Sequence, residues 1–392
     1  MSFKLRSISL FRRAAGMIAC PVDGGRLARR GRSTVLWGAA VWLALQLGLA
    51  VAIDQWAPEL RDPEFGQKLA RLRSLQADFP DRPLVLVLGS SRSDYGVCPD
   101  AIERAWSSRR ANAVVFNFAV MGGGPVTELV LFHELLAEGV RPNCVLIEVN
   151  PLLLHQEQGF TEESWLNADR LEFGELRRLR RYVSRPWSMY GRWLASRIVP
   201  WHSHRFLILD RFAPAWLAAS VRQDRRTPSD DRGWLRHQPE SVSAGERDWR
   251  IEQQLKAYSP ALDRFCISPT PDRALRELLE SCRQERIEAA LLAMPESSEL
   301  RSAFGPPAAR ALASYLDDLR RDYGVSLLDA REWAPDADFA DGEHLLPGGA
   351  IRFSQRLERG ATQFLAEAGS RFVRRDRGTE FTARGQTSEA QR

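Results

Sequence analysis

Five short runs of apolar residues alternate with helix-forming segments, and this alternation restricts the chain to one class of fold. The runs are Leu84 to Gly89, Ala113 to Ala119, Cys144 to Val149, Ile287 to Met294 and Val325 to Leu328. Short runs without polar alternation are typical of strands that are buried on both faces, as in parallel sheets. The sequence therefore predicts a three-layer α/β/α domain around a mainly parallel five-stranded sheet.

Helices are predicted between these runs, at 65–76, 99–107, 126–138, 271–285, 307–323 and 348–368. Strand periodicity lapses between the third and fourth runs, which predicts a domain in two pieces separated by a helical insertion. The predicted boundaries are a linker and helix at 54–80, the domain at 81–155 and 270–370, the insertion at 156–269, and a disordered tail at 371–392. The polar stretch 224–248 inside the insertion is also expected to be mobile.

Seven of the twelve tryptophans lie in the insertion, so this segment differs in composition from the rest. Its part from 175 to 212 combines closely spaced arginines with Trp187, Trp193 and Trp201. Such a pattern is typical of a helical layer with solvated arginines. Contact with a membrane surface and a groove that binds sugars are two further interpretations.

The uncharged run from Ser33 to Ile53 is long enough, at about 1.5 Å per helical residue, to cross a hydrocarbon core of roughly 30 Å. Four arginines lie between 26 and 32, whereas acidic residues predominate between 54 and 64. The positive-inside rule then predicts a cytoplasmic basic segment at 1–32, a transmembrane signal-anchor at 33–53 and an extracytoplasmic remainder, in the periplasm or at the cell surface. Ala50-Val51-Ala52 resembles a signal-peptidase site, so a cleaved signal peptide is the alternative.

The net charge of +5 does not indicate a nucleic-acid-binding protein, because eight Lys or Arg residues of the first 32 face a single acid. The five cysteines form no CxxC pair, which argues against a zinc ribbon. In an exported domain Cys266 and Cys282 could form a disulfide, and buried free thiols are the alternative. The histidines show no metal-ligand spacing such as HExxH, so neither a metal nor an organic cofactor is expected.

Candidate catalytic residues follow the predicted strands, where open α/β sheets form their ligand crevice. After the first strand, Gly89 leads into a turn in which Ser91 is the candidate nucleophile, with Ser90 and Ser93 as competitors. A serine needs an imidazole to accept its proton and a carboxylate to orient that imidazole. His344, with Asp341 three residues before it, supplies both after the fifth strand.

Two further loops offer hydrogen-bond donors for an oxyanion. Gly122, in the run 121–125, follows the second strand, and Asn150 follows the third. Consecutive glycines leave backbone N–H groups free to approach a ligand. The acids around His344 could instead hold a cation, although they lack the alternating spacing of an EF-hand loop.

The arrangement resembles the SGNH, or GDSL-like, hydrolase superfamily, and this resemblance implies a flavodoxin-like fold. Gly89-Ser90-Ser91 is similar to its first block with serine in place of aspartate, and 117–122 to its second. Glu148-Val149-Asn150-Pro151 keeps the asparagine of the third block but lacks its glycine and aspartate, and 341–344 matches the Asp-x-x-His block. The resemblance implies Ser91, Asp341 and His344 as the triad and the N–H groups of Ser91 and Gly122, with Asn150, as the oxyanion hole.

The resulting hypothesis is an exported, membrane-anchored serine esterase or O-acyltransferase that acts on an acylated glycan or lipid of the cell envelope. The first block also resembles membrane-anchored relatives that move acyl groups onto envelope polymers. The alternative is a non-catalytic envelope protein of the same fold that binds glycan or supports a membrane-bound acyltransferase.

Overall fold

The structure is a computed structural model that describes residues 24–107, 113–155, 162–166, 168–218 and 229–359. Three predicted regions lie wholly or partly outside these residues. They are most of the basic segment 1–32, the end of the last predicted helix, 348–368, and the tail 371–392. All five predicted strands are present: β1 (Leu84–Leu88), β2 (Val114–Asn117), β3 (Cys144–Glu148), β4 (Glu288–Ala293) and β5 (Ser326–Asp329). They pair in parallel in the order β2-β1-β3-β4-β5, a doubly wound order, which confirms the predicted fold class.

Helices occupy the predicted intervals, and most of their ends differ by a few residues. The helix Ser298–Tyr323 begins nine residues before its predicted start, and two short helices, Ser91–Gly96 and Pro151–Leu154, were not predicted. They are α1 (Gly24–Trp56), α2 (Pro63–Asp78), α3 (Ser91–Gly96), α4 (Pro99–Ser107), α5 (Pro125–Ala137), α6 (Pro151–Leu154), α7 (Phe173–Leu179), α8 (Pro186–Ile198), α9 (Pro200–Phe212), α10 (Ala244–Asp263), α11 (Pro269–Gln284), α12 (Ser298–Tyr323) and α13 (347–359). Within α12, Gly305 at φ +62° breaks the helix before two prolines. Helices α7 to α10 lie in the predicted insertion.

Helices cover both faces of the sheet, which explains why its strands are continuously apolar. Alternate residues of β1 point to opposite sides: Leu86 packs in one cluster with Phe132 of α5, and Val87 packs in the other with Ile102 of α4. All five residues of β1 are buried. A strand enclosed in this way must be apolar at every position.

One helix, Arg32–Trp56 within α1, is long and apolar enough to cross a membrane. It contains the predicted anchor 33–53, and most of its apolar side chains are exposed. Whether it is retained as an anchor or cleaved, and which way it points, stay predictions.

The expectation of a mobile segment at 224–248 is wrong for residues 229–235, which pack along the open edge of β2. Arg232 accepts a backbone hydrogen bond from Asn117 of β2 at 2.9 Å. Trp234 is buried, and its indole N–H donates to the Tyr95 carbonyl oxygen at 2.7 Å. A segment that pairs with an edge strand also shields that strand from other chains. The local polarity of the sequence concealed this role, because Trp234 is the one buried apolar side chain of the segment and its other contacts are polar. Examples are the contacts of Arg71 with Ser229 and of Arg232 with Glu103.

The proposed pairing of Cys266 with Cys282 is also wrong, since both are free thiols. Cys282 lies in the core beneath the sheet, whereas Cys266 is exposed at the end of the insertion. Cys98 and Cys144 are buried and free, as the alternative expected.

Gly233 permits the packing against β2. Its φ is +85°, and a Cβ added there would lie 2.0 Å from the Asn117 carbonyl oxygen. Gly233→Ala should therefore lower the free energy of unfolding by more than the roughly 1–2 kcal/mol that a positive φ alone costs. Gly324→Ala is the matched control, because Gly324 has φ +66° with nothing within 4 Å of its added Cβ. Equal losses of stability for the two variants in thermal unfolding would contradict the seating of residues 229–235 on β2.

Candidate active site

The turn after β1 presents Ser91 and conceals its two neighbouring serines. Ser90 and Ser93 are 2% and 0% exposed, whereas Ser91 is partly exposed at the start of α3. The Ser90 hydroxyl caps α3 by accepting a hydrogen bond from the Arg92 N–H at 3.2 Å. Gly89 is required because a Cβ at that position would lie 2.5 Å from the Glu148 carboxylate. Of the three serines, Ser91 is therefore the one whose side chain reaches the surface, and its role as nucleophile stays a prediction.

The three residues predicted as a triad form one hydrogen-bonded chain. Ser91 Oγ lies 2.9 Å from His344 Nε2, and His344 Nδ1 lies 2.8 Å from Asp341 Oδ2. An ionised Asp341 requires the proton on Nδ1, which leaves the Nε2 lone pair facing the serine hydroxyl. This is the geometry in which an imidazole can accept the serine proton.

The loop that carries His344 is fixed by its own backbone and by α10. The other Asp341 oxygen, Oδ1, accepts hydrogen bonds from the N–H groups of Glu343 at 2.9 Å and His344 at 2.8 Å. Gln254 of α10 accepts from the Gly342 N–H at 2.8 Å and donates to Glu343 at 2.7 Å. Tyr258, one turn further along α10, donates to the same Glu343 oxygen at 2.5 Å. The insertion therefore holds the histidine loop in place.

The electrostatics of the site keep Asp341 ionised and stabilise the protonated form of His344. Burial lowers the pKa of His344, but the Asp341 and Glu343 carboxylates raise it by more, so this pKa lies above the ordinary histidine value. Burial raises the pKa of Asp341, but the imidazole and the two backbone donors lower it by more. Asp341 thus remains ionised at neutral pH and stabilises the imidazolium that forms when His344 takes a proton.

The predicted oxyanion donors line the same cavity as Ser91. Gly122 has φ +69°, and a Cβ there would lie 2.5 Å from the ring of Trp165. Asn150 caps α6, because its Oδ1 accepts from the Leu152 N–H at 3.1 Å. Its amide nitrogen lies 3.5 Å from the Ser90 hydroxyl. The structure therefore brings Gly122 and Asn150 to the nucleophile, while their role toward an oxyanion stays a prediction.

The buried carboxylate of Glu148, at the end of β3, supports the nucleophile turn. It accepts hydrogen bonds from the N–H groups of Ser90 at 2.8 Å and Ser93 at 3.2 Å. It also accepts from the hydroxyls of Ser90 at 2.7 Å and Ser93 at 2.6 Å. Sequence reasoning noted Glu148 only as a departure from the expected glycine. The sequence signal was the presence of Ser90 and Ser93 after one strand and of Glu148 at the end of another. Buried hydroxyls need acceptors, and a buried glutamate can accept from both of them.

A second buried acid, Glu128 of α5, lies close to Glu148. Burial raises the pKa of Glu128 well above its ordinary value, and the neighbouring Glu148 and Glu162 carboxylates raise it further. Glu162, in contrast, accepts hydrogen bonds from three backbone N–H groups at the start of α5. We therefore assign the neutral form to Glu128, since an unpaired buried charge would be costly.

Arg92, the residue after Ser91, connects the turn after β1 to the loop after β4. It is 1% exposed and donates to the carbonyl oxygens of Met294 at 3.2 Å and Pro295 at 3.0 Å. It also forms an ion pair with Glu296 at 3.2 Å. Burial lowers the pKa of Arg92, but the surrounding glutamates raise it by more, so the guanidinium stays charged. No motif marked this residue, because its partners are distant in sequence.

The cavity above Ser91 has a volume of about 590 Å³, and the insertion forms one of its walls. Its lining beyond the triad and the oxyanion candidates includes Tyr95, Met121, Trp165, His237, Arg250 and Tyr258. The Tyr95 ring lies between two imidazoles, with centroids 5.3 Å from His344 and 5.4 Å from His237. The site is thus a mixed aromatic and polar cleft rather than an apolar tunnel.

The acids near His344 do not converge on a common point. Asp336 accepts from the Ser298 N–H and hydroxyl, Asp338 pairs with Arg352, and Asp341 and Glu343 bind the partners given above. Among the described residues, no group of three or more His, Cys, Asp or Glu side chains could hold a metal ion. These contacts favour the triad over the cation interpretation.

Residues 64–190 match a family model described as a protein of unknown function (DUF1574). No curated protein sequence matches the chain. The matched segment carries Ser91, Gly122, Glu148 and Asn150, whereas Asp341 and His344 lie beyond it. Because the description of the family states no activity, function has to be argued from the geometry of the site.

Removal of the Glu148 carboxylate should destabilise the nucleophile turn. Glu148→Ala leaves two N–H groups and two hydroxyls without their acceptor, and each unsatisfied buried group costs roughly 1–3 kcal/mol. We expect a loss of at least about 3 kcal/mol in the free energy of unfolding. Glu148→Gln should retain most of the stability because one acceptor oxygen remains. Glu240→Ala, at an exposed position, is the control. A Glu148→Ala variant that unfolds like the control would contradict this role.

Because the pKa of His344 is raised, the acid limb of the plot of kcat/KM against pH should lie at higher pH than an ordinary histidine would give. Only neutral His344 can accept the serine proton, so kcat/KM should rise with pH through a pKa above that of an ordinary histidine. Asp341→Asn removes the main raising influence, so the limb should move to lower pH. The amide also weakens the choice of tautomer, and kcat should fall on the order of 10³–10⁴-fold.

Asp329→Asn is the matched control for this measurement, because Asp329 pairs with Arg331 outside the cavity. It should leave both the limb and kcat unchanged. An Asp341→Asn variant that keeps the wild-type limb would show that Asp341 does not set the pKa of His344.

Proposed function

We propose that this protein is an extracytoplasmic serine esterase or O-acyltransferase that acts on an acylated glycan or lipid of the cell envelope. The observation that carries the proposal is the hydrogen-bonded chain from Ser91 through His344 to Asp341, which opens into a cavity. Fold alone does not establish an activity, so the argument rests on this site.

In the proposed reaction, Ser91 Oγ attacks the carbonyl carbon of the ester while His344 Nε2 takes the hydroxyl proton. The N–H groups of Ser91 and Gly122 and the amide of Asn150 stabilise the oxyanion of the tetrahedral intermediate. The intermediate collapses to an acyl-enzyme, and His344 returns its proton to the departing alcohol. Water or an acceptor hydroxyl then attacks the acyl-enzyme, again with His344 as the base, and Ser91 is regenerated.

The cavity lining supports a substrate with both polar and flat apolar surfaces, such as a sugar. Trp165 is 53% exposed beside Gly122, where its ring can stack on a pyranose face. Arg250 and His237 add polar groups on the same wall. The apolar helix Arg32–Trp56 supports anchoring at a membrane, where envelope glycans and lipids are available. A membrane-bound acyltransferase as a partner fits the same location.

The esterase assignment is tested with the full chain in detergent micelles and a chromogenic acetyl ester. Ser91→Ala should lower turnover at least about 10³-fold, because no other group replaces the attacking oxygen. Ser302→Ala is the control, since Ser302 is an exposed serine on α12. Equal turnover by both variants and the wild type would contradict the catalytic assignment and favour the non-catalytic alternative.

Transfer is distinguished from hydrolysis by a second assay with the same enzyme. Added glycan acceptors should accelerate release of the chromogenic alcohol and yield acylated glycan if a sugar hydroxyl attacks the acyl-enzyme. A turnover that is independent of acceptor, with free acetate as product, would identify a hydrolase.

A further inference from the structure

Helices α8 and α9 meet at Val199 and pack directly against the membrane-spanning candidate α1; we call residues 186–212 the α8–α9 corner. On α1, Gln46, Ala50 and Ile53 form a buried face, while Leu45, Leu47 and Val51 around them remain exposed. Both α8 and α9 contact α1. The spacing of the buried positions is that of one helix face, so the corner covers one side of α1.

This contact reaches well inside the apolar span of α1. The Gln46 side chain accepts a hydrogen bond from the Trp201 N–H in the first turn of α9 at 3.2 Å. Gln46 lies seven positions before Ile53, which corresponds to about 10 Å along the helix axis. If α1 crosses a bilayer, the corner must enter the same bilayer to about that depth. Interfacial helices lie about 5–10 Å into the boundary between headgroups and acyl chains.

The exposed side chains of the corner suit that environment. On α8, Trp187, Leu194 and Ile198 are 81%, 50% and 38% exposed and lie seven and four positions apart, which places them on one helix face. On α9, Trp201 and Phe212 are also exposed. An apolar surface of this kind beside a membrane span is typical of contact with lipid.

The backbone at the corner is compatible with low water content. The Val199 N–H donates to Ala195, the His202 N–H donates to Val199, and Pro200 has no N–H. The Trp201 N–H has no acceptor within α9, and it donates to the Gln46 side chain instead. Unsatisfied backbone groups are costly in hydrocarbon, and here each of these donors has a partner.

Two arginines of the corner lie where headgroups would be. Residues 186–212 contain four arginines and one aspartate. Arg197 pairs with Asp54 at 3.3 Å and Arg211 with Glu59 at 3.4 Å, both just beyond the apolar part of α1. Trp56, at the end of α1, is 82% exposed, as expected for an aromatic residue at the interface. The remaining positive charge would attract anionic lipids.

We propose that the α8–α9 corner is embedded beside α1 in the extracytoplasmic leaflet, with lipid as its occupant. This inference rests on the membrane anchoring in the proposed function, but not on the esterase activity. It selects the membrane-surface interpretation of the Arg- and Trp-rich segment over a solvated helical layer. The embedded corner would fix the orientation of the domain and its cavity relative to the membrane.

The test measures the depth of single fluorescent labels on the full chain in vesicles of phosphatidylcholine and phosphatidylglycerol. An environment-sensitive dye is attached to Ile198→Cys, Val41→Cys or Arg283→Cys in a Cys20→Ser, Cys266→Ser background. Val41 lies in the apolar part of α1 and Arg283 is exposed on α11. Lipids with a nitroxide on the acyl chain quench labels in the bilayer, and aqueous iodide quenches labels in water.

The proposal predicts that the labels at 198 and 41 show blue-shifted emission, loss of fluorescence with nitroxide lipid and protection from iodide, and that the label at 283 shows the opposite. If the label at 198 behaves like the one at 283 while the label at 41 is in lipid, the embedded corner is overturned and the membrane anchor stands. Water exposure at both 198 and 41 overturns the anchor as well. A blue-shifted label at 198 that nitroxide lipid does not quench indicates a protein partner and overturns lipid as the occupant. None of these readouts depends on esterase activity.

Discussion

The carboxylate of Glu148 joins β3 to the turn that carries the nucleophile, and the site depends on this contact. Because β1 and β3 are neighbours in the sheet, the end of β3 lies directly beneath the turn 89–93. Four hydrogen bonds from Ser90 and Ser93 fix that turn and leave Ser91 directed into the cavity. A nucleophile that is held in place in this way loses little conformational freedom when substrate arrives. Arg92 adds a second constraint by tying the same turn to the loop after β4.

The histidine side of the site depends on a different part of the chain. The Asp341 to His344 loop is organised by its own backbone, but Gln254 and Tyr258 of the insertion hold its outer side. The insertion also supplies the cavity wall with Trp165 and Arg250, and it contacts α1 through α8 and α9. One inserted segment therefore shapes the cleft and holds the His344 loop. In our proposal this loop carries the general base, and the same segment sets the height of the cleft above the membrane.

The sequence predicted the features that local patterns determine. Fully buried strands must be apolar at every position, so the five runs identified the sheet. The loops after them carry Ser91, Asp341 and His344, which the structure brings within hydrogen-bond distance of one another, while their catalytic role stays a prediction. The features that sequence reasoning missed depend on contacts between distant residues. Glu148 was noticed only as an unexpected residue, and Arg92 had no motif. The packing of Trp234 on Tyr95 and the free state of Cys282 are likewise properties of tertiary packing, which periodicity does not report.

The central claim is that Ser91 is a nucleophile activated by His344. The most direct measurement is the rate and position of covalent labelling by a serine-reactive phosphonate, followed by mass spectrometry of the intact full chain and its peptides. We expect a single adduct on Ser91 in the wild type, formed faster as pH rises through the pKa of His344, and almost no adduct in His344→Ala. An adduct on another serine, or labelling of Ser91 at the same rate without His344, would contradict it.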